Sequence, residues 1–136
     1  MSQMSDFLED LVRTHLFRTG TWAKPTAIHV SLHTANPTDA GTGTEVAGGS
    51  YARVARAPLD ANWAAGTPTD GITNNVADIT FPAPSANWGL ITHVALWDAA
   101  VAGNMWCYAT LTTPKTVNSG DAAPKFLAAS LVWTFQ

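Results

Sequence analysis

The sequence predicts a mainly β protein, an antiparallel β-sandwich or jelly roll preceded by one α-helix. Three observations carry this. A single stretch near the start, residues 5–19, repeats apolar residues at three- and four-residue steps. The rest of the chain offers seven or eight short stretches of β-type sequence, several of them clearly alternating, separated by turn-formers. No strand–helix alternation follows, so a parallel nucleotide-binding sheet is not expected. The 136 residues suit one domain, with the helix at 5–19 and the sandwich over 26–136.

In the helix, Met4, Phe7, Leu8, Leu11, Val12 and Leu16 form one apolar stripe. Asp6 and Glu9 have capping-box spacing, acids precede bases along the segment, and Gly20 is the expected stop. "TAIHVSLHT" (26–34) reads as a half-buried strand, with Ile28, Val30 and Leu32 inward and His29, Ser31 and His33 on the polar face. Residues 35–50 are turn-formers, and "YARVARAPL" (51–59) is a strand with Pro58 near its end. Residues 60–75 read as loop with at most a short edge strand, and 76–83 alternates again. "GLITHVALWDA" (89–99) reads as a central strand, 104–117 as a strand broken at Pro114, and 124–136 as the closing strand.

Composition narrows function. Charged residues are 12% of the chain, against roughly 25% in ordinary domains. The net charge is −3 and no basic block occurs, which argues against a nucleic-acid partner. No apolar run reaches the ~18 residues of a membrane span. Acids stand where a secretion signal needs positive charge, so no signal peptide is expected. The one cysteine, Cys107, is expected to be a buried apolar side chain.

Candidates for chemistry are weak. "AGTGTEVAGGSYARVA" (40–55) is glycine-rich, but no lysine follows its glycines and no βαβ unit surrounds it, so a long inter-strand loop is expected. His29 and His33, four residues apart on a strand, stand roughly 13 Å apart from the ~3.3 Å rise per residue. That is too far to share a zinc ion with bonds of ~2.0–2.1 Å. One of them paired with His93 is the remaining metal option. No G-x-S-x-G elbow occurs, and Asp70, Asp78, Asp98 and Asp121 sit in turn contexts. Six tryptophans are many for this length. Trp63 and Trp88, in or beside loops, are candidates for stacking on a sugar or a protein pocket, or for closing the sandwich end.

Three stretches taken together are similar to a known family. They are "HVSLHTANPTDAGTGTEVAGGSYARVA" (29–55), "WGLITHVALWDAAVAGNMWCYATLTTPKTVNSGD" (88–121) and "FLAASLVWTF" (126–135). They resemble a family of small virion proteins of tailed bacteriophages, often labelled tail fibre proteins, some of which resemble jelly-roll cement, or decoration, proteins of capsids. The resemblance implies a structural virion protein with no catalytic residues and no cofactor. The expected role is capsid cement on the major capsid protein. The alternative is a tail receptor-binding module whose loop tryptophans stack on host glycans. A homo-oligomer is expected, a dimer rather than a trimer, in a virion assembled in the host cytoplasm. The candidate interface residues are Phe7, Leu11, Glu45, Tyr51, Arg53, Trp63 and Trp88.

Overall fold

A computed structural model describes residues 2–66 and 70–135. The fold is mainly β, with antiparallel sheets and one helix near the N-terminus. Helix α1 runs Asp6–Phe17. Its N-cap is Ser5, not Asp6: the Ser5 hydroxyl accepts from Leu8 N at 3.2 Å and donates to the Met105 carbonyl. Ser5 therefore both caps the helix and ties it to the sheet, while Asp6 occupies the first helical position, where its charge faces the positive end of the dipole. The helix also ends before Gly20. The chain doubles back there, and a Cβ on Gly20 would stand 2.3 Å from Thr14 Cγ2. Gly20 thus permits close approach and is not a left-handed cap.

A five-stranded sheet runs in the order β1 (Ser2–Met4), β8 (Met105–Val117), β7 (Gly89–Trp97), β2 (Ile28–His33) and β3 (Val54–Arg56). A three-stranded sheet holds β10 (Val132–Thr134), β5 (Ile72–Asn75) and β4 (Trp63–Ala65), and β6 (Ile79–Thr80) pairs with β9 (Lys125–Phe126). All pairings are antiparallel. Val30, Leu32, Ile91, Val94, Leu96 and Cys107 of the large sheet form one core with Ile79, Phe81, Leu131 and Trp133, and Leu8 joins it from α1. Burial pushes the Cys107 thiol up to about 12, so it stays protonated and apolar. No helix among the described residues is long and apolar enough to cross a membrane.

The strand at 89–99 is central, as expected, but several other elements differ. Strand β1 was not expected; three residues are too few to show a period. Strand β8 continues through Pro114 instead of breaking there. The register explains this: Ile91 pairs with Lys115 and His93 with Thr110, so residues 111–114 lie opposite Thr92 alone. Pro114 sits in that bulge, where its missing N–H removes no ladder bond. The strands expected at 51–59 and 76–83 shrink to β3 and β6.

The 60–75 segment contains two strands, β4 and β5; residues 67–69 of that expected loop lie outside the described residues. Asparagine is a poor strand former, and Asn75 holds its place through tertiary bonds. Its buried carboxamide donates to Ala77 O (2.9 Å) and Leu127 O (2.8 Å) and accepts from Leu131 N (2.8 Å). The same contacts replace the continuous closing strand by β9, a turn over 127–131 and β10. Asn75→Ala leaves the buried Leu131 N–H unpaired and removes two further bonds, and is expected to lower stability by about 2–4 kcal/mol. Urea unfolding checks this, with Asn74→Ala as the control expected to lose under ~1 kcal/mol.

Candidate functional site

The outer face of the five-stranded sheet carries His29, Ser31 and His33. Register sets His29 beside Trp97, Ser31 beside Ala95 and His33 beside His93, with Tyr108 next to Ala95 on β8. The expectation of a half-buried strand fails here, since Ser31 and His33 are both fully buried. The loop after β2 folds back over them. Thr34 N bonds Thr44 O at 2.9 Å, His33 bridges to Glu45, and Val46 N bonds Leu32 O at 3.0 Å. The glycines of 40–55 serve this fold-back. A Cβ on Gly43 would fall 2.3 Å from Asn36 O, so the loop closes on itself only with glycine there.

This fold-back delivers Glu45 to Arg53. Arg53 Nε donates to Glu45 Oε1 at 2.8 Å and Nη2 donates to Oε2 at 2.7 Å, a bidentate pair with Arg53 only 6% exposed. Nη1 donates to Ala99 O and Ala102 O, both at 2.8 Å. The guanidinium carbon lies 4.0 Å from the centroid of the Trp97 ring. Tyr51 OH donates to Glu45 Oε1 and accepts from Leu32 N, each at 2.9 Å. Trp97 Nε1 donates to Ser31 Oγ, which lies 2.8 Å from His33 Nε2. One connected network thus joins β2, the loop before β3, and the β7–β8 turn.

Electrostatics follow from burial. Desolvation disfavours the Glu45 carboxylate, yet the hydrogen bonds from Arg53 and Tyr51 outweigh it and hold its pKa below the ordinary value. Burial pulls His33 down from 6.5 to about 4, so it is neutral near pH 7. Burial also lowers His29 and His93 and raises Tyr51. The Ser31–His33 contact has the atoms of a nucleophile and a base, but both residues are without exposed surface. His93 is engaged by Thr92 Oγ1 at 2.8 Å and Thr110 Oγ1 at 3.2 Å. Among the described residues, no three His, Cys, Asp or Glu side chains group at metal-binding spacing.

The turns that carry Asp98, Asp121 and Asp78 are held by their own carboxylates. Asp98 accepts from Asn104 N at 2.7 Å and from Asn104 Nδ2 at 2.9 Å, which closes the turn whose carbonyls hold Arg53. Asp121 accepts from Asn118 N at 2.8 Å, and Ser119 N donates to Asn87 Oδ1 at 2.8 Å, tying the turn after β8 to the 84–87 segment. Asp78 accepts from Lys125 and from Ala128 N.

Of the candidate interface residues, Glu45, Tyr51 and Arg53 converge and face inward. Trp88 is buried at 5% exposure; its Nε1 donates to Gly49 O at 2.9 Å and its ring meets Tyr51 edge-on at 5.3 Å. It closes the loop and offers no free face. Phe7 and Leu11 lie half-buried on α1, remote in the chain from that network. Trp63, half-buried on β4, lines a pocket of about 280 Å³ with Trp22, Trp106 and Trp133. Trp22 was missed by sequence reasoning because it stands alone in an irregular segment, with no pattern to mark it.

A family model described as Podophage GP4 fiber I protein gp80 matches residues 3–134. No curated protein sequence matches the chain.

Removing one partner of the buried pair strands the other charge. Arg53→Met is expected to lower stability by about 3–5 kcal/mol, and adding Glu45→Gln to recover part of it; a double-mutant cycle measured by urea unfolding checks this. Stability is also expected to depend on acid. Unfolded His33 takes a proton near pH 6.5, whereas the folded chain refuses it until about pH 4. The His33 contribution is therefore complete above about pH 6.5 and is lost as pH falls toward 4, on the order of 3 kcal/mol in all. His29 and His93 act in the same direction, and Glu45 extends the loss at lower pH. Unfolding free energies across this range are expected to show the slope, and His33→Gln to flatten most of it.

Proposed function

Because the chain belongs to the podophage GP4 fiber I protein gp80 family, we propose that it is a non-enzymatic structural component of a phage virion, built into a fibre and acting through protein–protein contacts. The match over residues 3–134 is the observation that carries this reading. The structure supports it through the use made of the polar residues. Glu45, Tyr51, Arg53, Asp98 and Asp121 are spent on holding loops, and the Ser31–His33 pair is sealed from solvent. The description of the family weighs toward a fibre and away from the head-cement role that the sequence suggested. Tail proteins are then the expected neighbours in place of the major capsid protein. The end of α1 leaves Leu16 and Phe17 exposed at 66% and 82%, and we assign this apolar end to contact with a neighbouring subunit.

The test is quantitative mass spectrometry of purified virions separated into heads and tails. The protein is expected in the tail fraction, in the low copy number of a fibre. Recovery with heads alone, near the stoichiometry of the shell protein, returns the cement reading and overturns the fibre.

A further inference from the structure

We propose that the apolar end of α1 seats in the pocket beside α1 of a second copy of this chain, and that a two-fold axis makes the contact mutual. The inference rests on the assignment of Leu16 and Phe17 to a neighbouring subunit, and it names that neighbour and its receiving surface.

One chain by itself leaves α1 poorly covered. Of its six apolar residues, Phe7, Leu8, Leu11, Val12, Leu16 and Phe17, only Leu8 is buried. The whole surface tells the same story. A folded monomer of 14.4 kDa exposes about 6,800 Å². This chain exposes 7557 Å². The excess, about 700 Å², is close to the ~800 Å² that one partner gives to a standard interface.

The receiving surface is the pocket of about 280 Å³ that Leu8 of α1 helps to line. Its wall is mainly apolar, and Trp22, Leu59 and Phe135 within it are exposed at 37%, 59% and 45%. The exposure of these three shows that the pocket opens to solvent. A cavity of about 150 Å³ lined by apolar side chains already admits benzene, so a phenyl ring fits this one.

Two features select a second copy as the occupant. The first is that the chain is complementary to itself. It carries both a protruding ring, Phe17 at 82% exposure, and a pocket of a size to take one. Leu8 and Phe17 lie nine residues apart, ~14 Å along the helix at its 1.5 Å rise per residue. A two-fold axis across the middle of α1 exchanges these two positions, so each copy gives one ring and receives one. The second feature is charge. The same axis sets the two helices antiparallel. The half of α1 with Asp6, Glu9 and Asp10 then faces the half of the second helix with Arg13 and His15 and the Arg18 that follows it, and all six are exposed. Asp10 and Arg13 already pair within one helix, which leaves Asp6 and Glu9 to meet Arg18 and His15 across the axis. Opposed helix dipoles favour the same orientation.

The experiment measures the mass of the intact protein by sedimentation equilibrium, in a concentration series up to about 100 μM. Near-UV circular dichroism checks that each variant keeps its native packing. The wild type is expected as two copies. Phe17→Gln and Leu59→Lys, both at exposed positions, are each expected to keep the native spectrum and to weaken association roughly 100-fold or more. Val101→Lys, at an apolar residue of the β7–β8 turn that is 84% exposed, is expected to leave the dimer intact. The decisive sample mixes the two disrupted variants. In a mixed pair the intact Phe17 of one chain meets the intact pocket of the other, so the mixture is expected to associate more tightly than either variant alone. The inference is overturned if the wild type stays monomeric at about 100 μM, if it forms three copies or an open series, if Phe17→Gln or Leu59→Lys dimerises as the wild type does, or if the mixture gains nothing over its parts. Its failure is separate from that of the fibre reading. A monomer recovered with tails overturns the self-contact and leaves the fibre in place; a dimer recovered with heads does the reverse.

Discussion

Burying Arg53 is the constraint around which the outer half of this fold is arranged. A guanidinium out of water needs a counter-charge and partners for its N–H groups, and no one segment of the chain supplies both. Glu45 comes from the loop that folds back over β2, the two carbonyls come from the turn between β7 and β8, and the flat face comes from Trp97. Each donor of a contact is itself held. Tyr51 fixes Glu45 against β2, Asp98 closes the turn, and Ser31 sets the plane of Trp97. The glycines near Glu45 belong to the same constraint, because only a chain without Cβ at Gly43 can close so tightly.

The consequence is an economy of charge. Few ionisable residues are present, and the best placed among them are consumed internally. Loops, not extra strands, cover one face of the main sheet. Away from that face, Trp22, Trp63, Trp106 and Trp133 line one pocket beside α1.

The sequence made the secondary structure legible wherever a pattern ran long enough. The apolar stripe of α1, the alternation in β2 and the long run of β7 are each visible without coordinates. Legibility failed where tertiary bonds overrode local preference. Asn75 sits in a strand because three backbone groups need its carboxamide, and Pro114 survives in β8 because a bulge makes its missing N–H harmless. Strand β1 and Trp22 were invisible for a simpler reason, being too short or too isolated to form a pattern.

Glu45, Tyr51 and Arg53 were singled out from the sequence as candidate interface residues, and the structure brings them together in one largely buried clasp. Composition and periodicity determined the class of the protein by themselves, since hydrophobic spacing is a local property and charge content is a sum. Tertiary structure alone decided which polar side chains are buried, which loop covers which strand, and which tryptophans share a wall. Those outcomes depend on contacts between residues 39 to 132 positions apart in the chain, and no local pattern encodes which distant partner a side chain will meet.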